Sequence, residues 1–390
     1  MSIESGTHEF LAQDRVIWGV PAANAVAAEA ERRGAQRVFI VTGRTLNRKT
    51  DAIERIKSAL GSRWADTFDE CVEHTPRESV IAAAQAARAA RPDLVLTVGG
   101  GTAIDTVKVM LIALAHNVDN PAALDAFHLR VSPDGTRYVP AIESPPCRQI
   151  VVSTTLGGAE FSDLGGCTDT ARKVKDAYMA RQIGAASVIL DPEITRHTPE
   201  WLWLSTAVRG IDHAVEGICS TQRSPLIEAT ALHALRLFAH ALPRSKANPD
   251  DLDARLACLQ AAWLAALGIL RVPYGASHGI GHSLGAVTGM SHGYTSCVML
   301  PHVMRWNAEV MHERQARIAA ALGRPGVEAA DAVADLIASL GMPYRLRDAG
   351  VMRAQFDTIA AGALENMWVR SNPRRITGAA EIVALLESAW

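Results

Sequence analysis

The run Leu94-Val95-Leu96-Thr97-Val98 stops at Gly99-Gly100-Gly101 and passes directly into a helical stretch over 102–116. A strand that ends on glycines and feeds a helix is the unit from which helix-covered parallel sheets are built. The same alternation recurs on either side. An Ala- and Glu-rich helix over 22–33 precedes a β-forming run over 37–42 that stops at Gly43, an Ala-rich helix covers 79–90, and further runs lie at 149–152 and 188–190. Beyond about 192 the texture changes to helical periodicity, over 201–219, 226–242, 252–270, 278–287, 293–307, 314–322 and 327–340, with no convincing strand. The expected fold is α/β plus all-α, with domains at 1–192 and 193–390, each long enough to bury its own core.

Composition narrows the function classes. Of 390 residues, 48% are hydrophobic and 21% charged, which excludes a disordered or fibrous chain. Lys and Arg number 39 against 41 Asp and Glu, so no basic surplus exists for a nucleic-acid partner. The six cysteines are dispersed without a C-x-x-C pair, and so offer neither a zinc knuckle nor a disulfide framework. Residues Met1 to Gly6 lack a basic and apolar leader, and the apolar runs at 109–115 and 261–270 fall far short of the ~20 residues of a membrane span. A cytoplasmic location with no membrane partner is expected.

Three constellations carry chemistry. Gly99, Gly100, Gly101 and Thr102 open a helix, where glycines let the backbone approach a pyrophosphate and free N–H groups meet its charge. Asp105 and Lys108, one turn apart, share a face there. A tight turn capped by Thr102 explains the glycines equally well. His278 and His282 are four apart and His292 follows ten later, a spacing suited to a metal or a proton-transfer site, with buried structural histidines as the alternative. His302 reads as structural. Arg209 and His213 also share one helical face, and a surface charge group is the competing account.

Together these segments resemble the iron-containing alcohol dehydrogenase superfamily, and within it the maleylacetate-reductase-like branch. Gly99 to Lys108 matches G-G-G-[ST]-x-x-D-x-x-K, and Ser153-Thr154-Thr155-Leu156-Gly157-Gly158-Ala159-Glu160 is similar to P-T-T-x-x-G-S-E. His278, His282, Gly285 and His292 fit H-x-x-x-H-x-x-G with a histidine ten residues on, and Asn372-Pro373-Arg374 and Ala389-Trp390 look like the reductase branch. The likeness runs in order through nearly the whole chain. It implies a Rossmann-like dinucleotide-binding domain, a helical C-terminal domain of the dehydroquinate synthase-like fold, an active site in the cleft between them, and a homodimer. It assigns pyrophosphate contacts to Gly99, Gly100, Gly101 and Thr102, nicotinamide-side contacts to Asp105, Thr154 and Thr155, and a cofactor lysine to Lys173.

One departure shapes the expected chemistry. Metal-dependent members use an Asp, a His four residues later and two further His; the histidines map to His213, His278 and His292, but the Asp maps to Arg209. Arginine is always protonated, cannot ligate, and repels a dication. The expected activity is NAD(P)H-dependent hydride transfer to a carbonyl or conjugated enone of a small oxo-acid substrate, without a metal. Arg209 holds a substrate oxygen, His282 donates the proton, and His213, His278 and His292 line the pocket. Two alternatives stay open: a metal-dependent alcohol dehydrogenase, with Fe or Zn on those three histidines, and a non-redox lyase of the dehydroquinate synthase type. Family members often carry an Asp after the second strand to hold the ribose 2′-hydroxyl. Gly43 followed by Arg44 stands there instead, so NADPH is expected to be accepted at least as readily as NADH.

Overall fold

The computed structural model describes residues 5–132 and 136–390; Met1 to Glu4 of the segment read for a leader lie outside the described residues. The chain divides into two compact units. Phe10–Thr155 and Ala159–Thr198 make one; Pro199–Trp390 makes the other, with Leu156–Gly158 and residues 5–9. Among the described residues, no helix is long and apolar enough to cross a membrane.

The strands in chain order are β1 (Arg15–Trp18), β2 (Val38–Thr42), β3 (Trp64–Phe68), β4 (Leu94–Gly99), β5 (Arg130–Val131), β6 (Arg137–Tyr138), β7 (Arg148–Ser153), β8 (Leu164–Asp169), β9 (Val174–Met179) and β10 (Ser187–Leu190). Six of them form one parallel sheet in the order β1-β10-β7-β4-β2-β3, while β8 and β9 pair as an antiparallel hairpin. The four interior strands are buried on both faces, so each is a continuous apolar run that the sequence displays openly. The edges β1 and β3 were not expected. β1 is only four residues long and exposed at both ends, and β3 carries Asp66 and Thr67 and is exposed or half-buried up to Phe68, so neither stands out as a buried apolar run.

Helices α1 (Ala22–Arg32), α2 (Arg44–Lys49), α3 (Ala52–Leu60), α4 (Arg77–Ala90) and α5 (Gly101–Ala115) belong to this unit. Period-two alternation along β2 sends Val38 and Ile40 to the core shared with α1 and α3, and Phe39 and Val41 to the core shared with α4 and α5. Each such side chain contributes roughly 1.5–3 kcal/mol by burial.

The second unit holds α6 (Glu200–Ile218), α7 (Pro225–Ala247), α8 (Leu252–Ala266), α9 (Ala276–Thr288), α10 (His292–Ala321), α11 (Ala329–Ser339), α12 (Phe356–Leu364), α13 (Met367–Arg370) and α14 (Ala379–Ser388). The separate helices expected at 293–307 and 314–322 are both present within α10, on either side of a kink where Met311 leaves helical geometry at φ −126°. His302 hydrogen-bonds Ser388 at 3.1 Å, which ties α10 to α14.

A buried carboxylate fastens α1 to the sheet. Glu29 accepts from Arg32 Nε at 3.0 Å, Arg33 Nε at 2.9 Å and the Ser187 hydroxyl at 2.6 Å. Burial alone would raise its pKa, but these bonds reverse that and hold it at about 2. Because this lies below the ordinary 4.5, Glu29 stabilises the fold above pH 4.5, and the contribution fades as pH falls towards 2. Glu29→Gln is therefore expected to lower unfolding free energy by about 3 kcal/mol at pH 7, and the gap to wild type should close between pH 4.5 and 2 in urea titrations.

Candidate active site

At the carboxyl end of the sheet, Gly100 immediately precedes α5 and no side chain caps that helix end, so its first N–H groups and the positive end of its dipole are available to an anion. A Cβ at Gly100 would lie 2.6 Å from Thr155 Cγ2, so only glycine permits this approach. The backbone N–H of Thr154 donates to Gly99 O at 3.1 Å, and the Thr198 hydroxyl donates to Thr154 O at 2.7 Å. Gly99, Gly100, Gly101, Thr102, Thr154 and Thr155 are thus gathered at one turn, and Asp105 stands one helical turn further on.

Lys108 does not reach the helix mouth: fully buried, its Nζ donates to Ala159 O at 2.6 Å, Leu164 O at 2.6 Å and Ser162 Oγ at 3.0 Å. Burial lowers its pKa, and the ammonium anchors the segment before β8. Lys173 is exposed on the β8–β9 turn with φ +56°, whereas Lys175 brings its Nζ to 4.0 Å from Asp105. Arg44 is exposed beside Gly43, and its Nη2 lies 3.0 Å from Glu70 Oε1.

In the helical unit, α6 presents Arg209, Asp212, His213 and Glu216, all buried. Glu216 accepts from the N–H groups of Gly275 at 2.9 Å, Ser277 at 2.8 Å and His278 at 3.4 Å, and its Oε2 lies 2.7 Å from His278 Nδ1. The other nitrogen of His278 lies 2.8 Å from His213 Nδ1, and His213 Nε2 lies 3.3 Å from Gly157 O. Burial, then the neighbouring His278 and the Arg209 charge, push His213 well below its usual range.

Arg209 donates to Ser296 Oγ at 3.1 Å and stands 3.7 Å from Asp212 Oδ2. That oxygen also accepts from Ser296 at 2.6 Å and Ser277 at 2.8 Å. One helical step of ~100° separates Asp212 from His213. It does not carry Asp212 out of the cluster, because α6 is buried all round here and Asp212 Oδ1 comes within 3.4 Å of His278 Nδ1.

His282 and His292 form a separate, outer pair with ring centroids 5.6 Å apart, His282 half-buried and His292 exposed. Trp368 touches both groups, its ring 4.7 Å from His282 and 5.5 Å from His278. Gly279 makes this approach feasible, since a Cβ there would meet the Val369 backbone nitrogen at 2.8 Å. Asn366 Nδ2 lies 3.3 Å from His282 Nδ1. Sequence reading set Asp212 aside as pointing ~100° around the helix from His213, and gave no role to Glu216, Asn366 or Trp368. Asp212 and Glu216 carried a signal, being in helical phase with Arg209 and His213.

The two halves match two family signatures. One described as "Iron-containing alcohol dehydrogenase" covers residues 13–192, and one described as "Fe-containing alcohol dehydrogenase family, C-terminal" covers residues 204–390. The chain is 31% identical over 398 residues to dehydrogenase FUM7 of Gibberella moniliformis, covering 92% of each protein. It is 32% identical over 312 residues to maleylacetate reductase 2 of Cupriavidus pinatubonensis, covering 80% of this chain and 77% of that protein. The crystal structure of maleylacetate reductase from Agrobacterium tumefaciens superimposes with a TM-score of 0.82 at 27% identity, covering 100% of this chain and 99% of that one. The chain belongs to the iron-containing alcohol dehydrogenase family and is an NAD-dependent oxidoreductase of it. Its relatives are named as dehydrogenases and reductases, which sets aside the non-redox lyase.

Glu216→Ala removes the acceptor of three buried N–H groups and of a ring nitrogen, and should cost at least about 3 kcal/mol in chemical denaturation.

Proposed function

We propose that this enzyme reduces a carbonyl or conjugated enone on a small oxo-acid, in the manner of a maleylacetate reductase, and that it does so without a metal. The observation that carries this is the buried guanidinium of Arg209 beside Asp212, at the position where metal-dependent members of the resembled family hold an acidic ligand. Arginine offers no lone pair, and its charge opposes a dication. The histidine donors are unsuited as well. His213 and His278 turn one nitrogen each towards the other at 2.8 Å, His278 Nδ1 is taken by Glu216 at 2.7 Å, and His292 stands exposed beside His282. The three-histidine set therefore does not fit an iron or zinc ion.

Bound NAD(P)H supplies the hydride. Arg209 receives the substrate oxygen or carboxylate and stabilises the negative charge that develops as hydride arrives. Asp212 and Ser296 fix the guanidinium in place. His282 supplies the proton, passing from the imidazolium to the neutral ring as it does so. Asn366, whose Oδ1 accepts the N–H of Trp368 at 3.0 Å, stands with its Nδ2 3.3 Å from His282 Nδ1 and helps position the ring. A homodimer belongs to the same proposal.

A second reading, a metal-dependent dehydrogenase, draws on a different set: ligand atoms of Asp212, Glu216 and His278 lie within 4.8 Å of one another. NADH oxidation against a panel of oxo-acids, aldehydes and enones, with and without chelator, separates the two. Reduction that survives chelation is expected; stoichiometric iron or zinc whose removal abolishes turnover overturns the metal-free reading. Arg209→Asp should raise metal affinity by restoring a ligand and deleting a repulsive charge. His282→Ala should lower kcat by roughly 10²-fold with NADH affinity unchanged, and a loss below about threefold would transfer the proton to another donor.

A further inference from the structure

Gly43 and Glu70 face each other across an antiparallel backbone bridge at the carboxyl ends of β2 and β3. Strand β2 lies beside β4, with Thr42 paired to Val98, so this bridge is at the same end of the sheet as the glycine turn. A Cβ at Gly43 would meet nothing within 4 Å, which leaves open space in front of the bridge. Around it stand two cations and two anions, all engaged with each other. Arg44 Nη2 is 3.0 Å from Glu70; Arg48 grips Asp69 with Nε at 2.6 Å and Nη2 at 2.8 Å, and Asn47 donates to the same carboxylate at 2.9 Å. Arg48 also comes within 4.0 Å of Glu70.

We propose that Glu70 reads the 2′ position of the adenosine ribose and makes this enzyme select NADH over NADPH. In dinucleotide-binding sheets that task falls to an acid at the end of the second strand, which accepts a ribose hydroxyl proton and repels a 2′-phosphate. Gly43 removes the acid from β2, and Glu70 restores one from the neighbouring strand. The two arginines do not reverse the preference, because each is already neutralised: the charges of Arg44, Arg48, Asp69 and Glu70 cancel and offer no net attraction to a dianionic phosphate. The expectation of easy NADPH use followed from Gly43 and Arg44 alone, without the carboxylate opposite. The proposal rests on the cofactor lying at the glycine turn.

Fluorescence titration of the full-length protein with NADH and with NADPH tests this without a substrate. Wild type should bind NADH at least about tenfold more tightly, the scale of one charge-assisted hydrogen bond. Glu70→Gln, at an exposed side chain, should narrow that ratio about tenfold, chiefly through tighter NADPH binding as Arg44 is released. Adding Arg44→Ala to Glu70→Gln should cancel the gain. Equal binding of both cofactors by wild type, or a ratio within twofold of wild type in Glu70→Gln, overturns the proposal. Gly101→Val supplies the separate control, since a Cβ there meets only Ala159, at 4.0 Å, and the circular dichroism of the variant checks that it is folded. If Gly101→Val abolishes binding of both cofactors while Glu70→Gln is silent, the ribose assignment alone has failed. If Gly101→Val leaves both affinities intact, the placement of the cofactor has failed with it.

Discussion

The carboxylate of Glu216 accepts from the backbone of Gly275, Ser277 and His278 and from the ring of His278, and this one side chain joins α6 to the first turn of α9. A helix start buried without acceptors for its N–H groups is costly, and here no local side chain caps it. Glu216 supplies the acceptor from another helix. The same contact orients His278, His278 orients His213, and His213 meets the Gly157 carbonyl. Geometry in this half of the enzyme follows from that chain of bonds.

A buried carboxylate of this kind needs a counter-charge. Asp212 and Glu216 place two acids in an interior where an unpaired charge is expensive, and Arg209 lies 3.7 Å from the first of them. Burial depresses the pKa of Arg209 while Asp212 and Glu216 raise it again, so the cation and the acids justify one another. In the proposed reaction such a guanidinium is ordered before substrate arrives, and a preorganised donor has little reorganisation left to do.

The sequence displayed what local periodicity and spacing encode. Interior strands such as Val38–Thr42 announce themselves because both faces are buried; the edge strand Trp64–Phe68, half in solvent, does not. Likewise Arg209 with His213, and His278 with His282, are visible as helical pairs. Long-range partners are not. Asn366 reaches His282 from 84 residues away, and Glu70 meets Gly43 only because β2 and β3 are neighbours. Lys108 shows the converse error: helical phase gives the face on which its Cβ lies, but not that Ala159 and Leu164 close over it.

The path of the backbone between Thr155 and Ala159 carries a consequence for dissection of this protein. Leu156–Gly158 belongs to the helical unit although the residues on both flanks belong to the sheet unit. There Leu156 N donates to the Thr206 hydroxyl at 3.1 Å, and Gly157 presents its carbonyl to His213. A fragment started at Pro199 would contain every helix of the second unit and yet lack a piece of its interior. The chain therefore passes between the two units at four places, after residues 9, 155, 158 and 198, and a cut at 198 does not yield the complete helical unit.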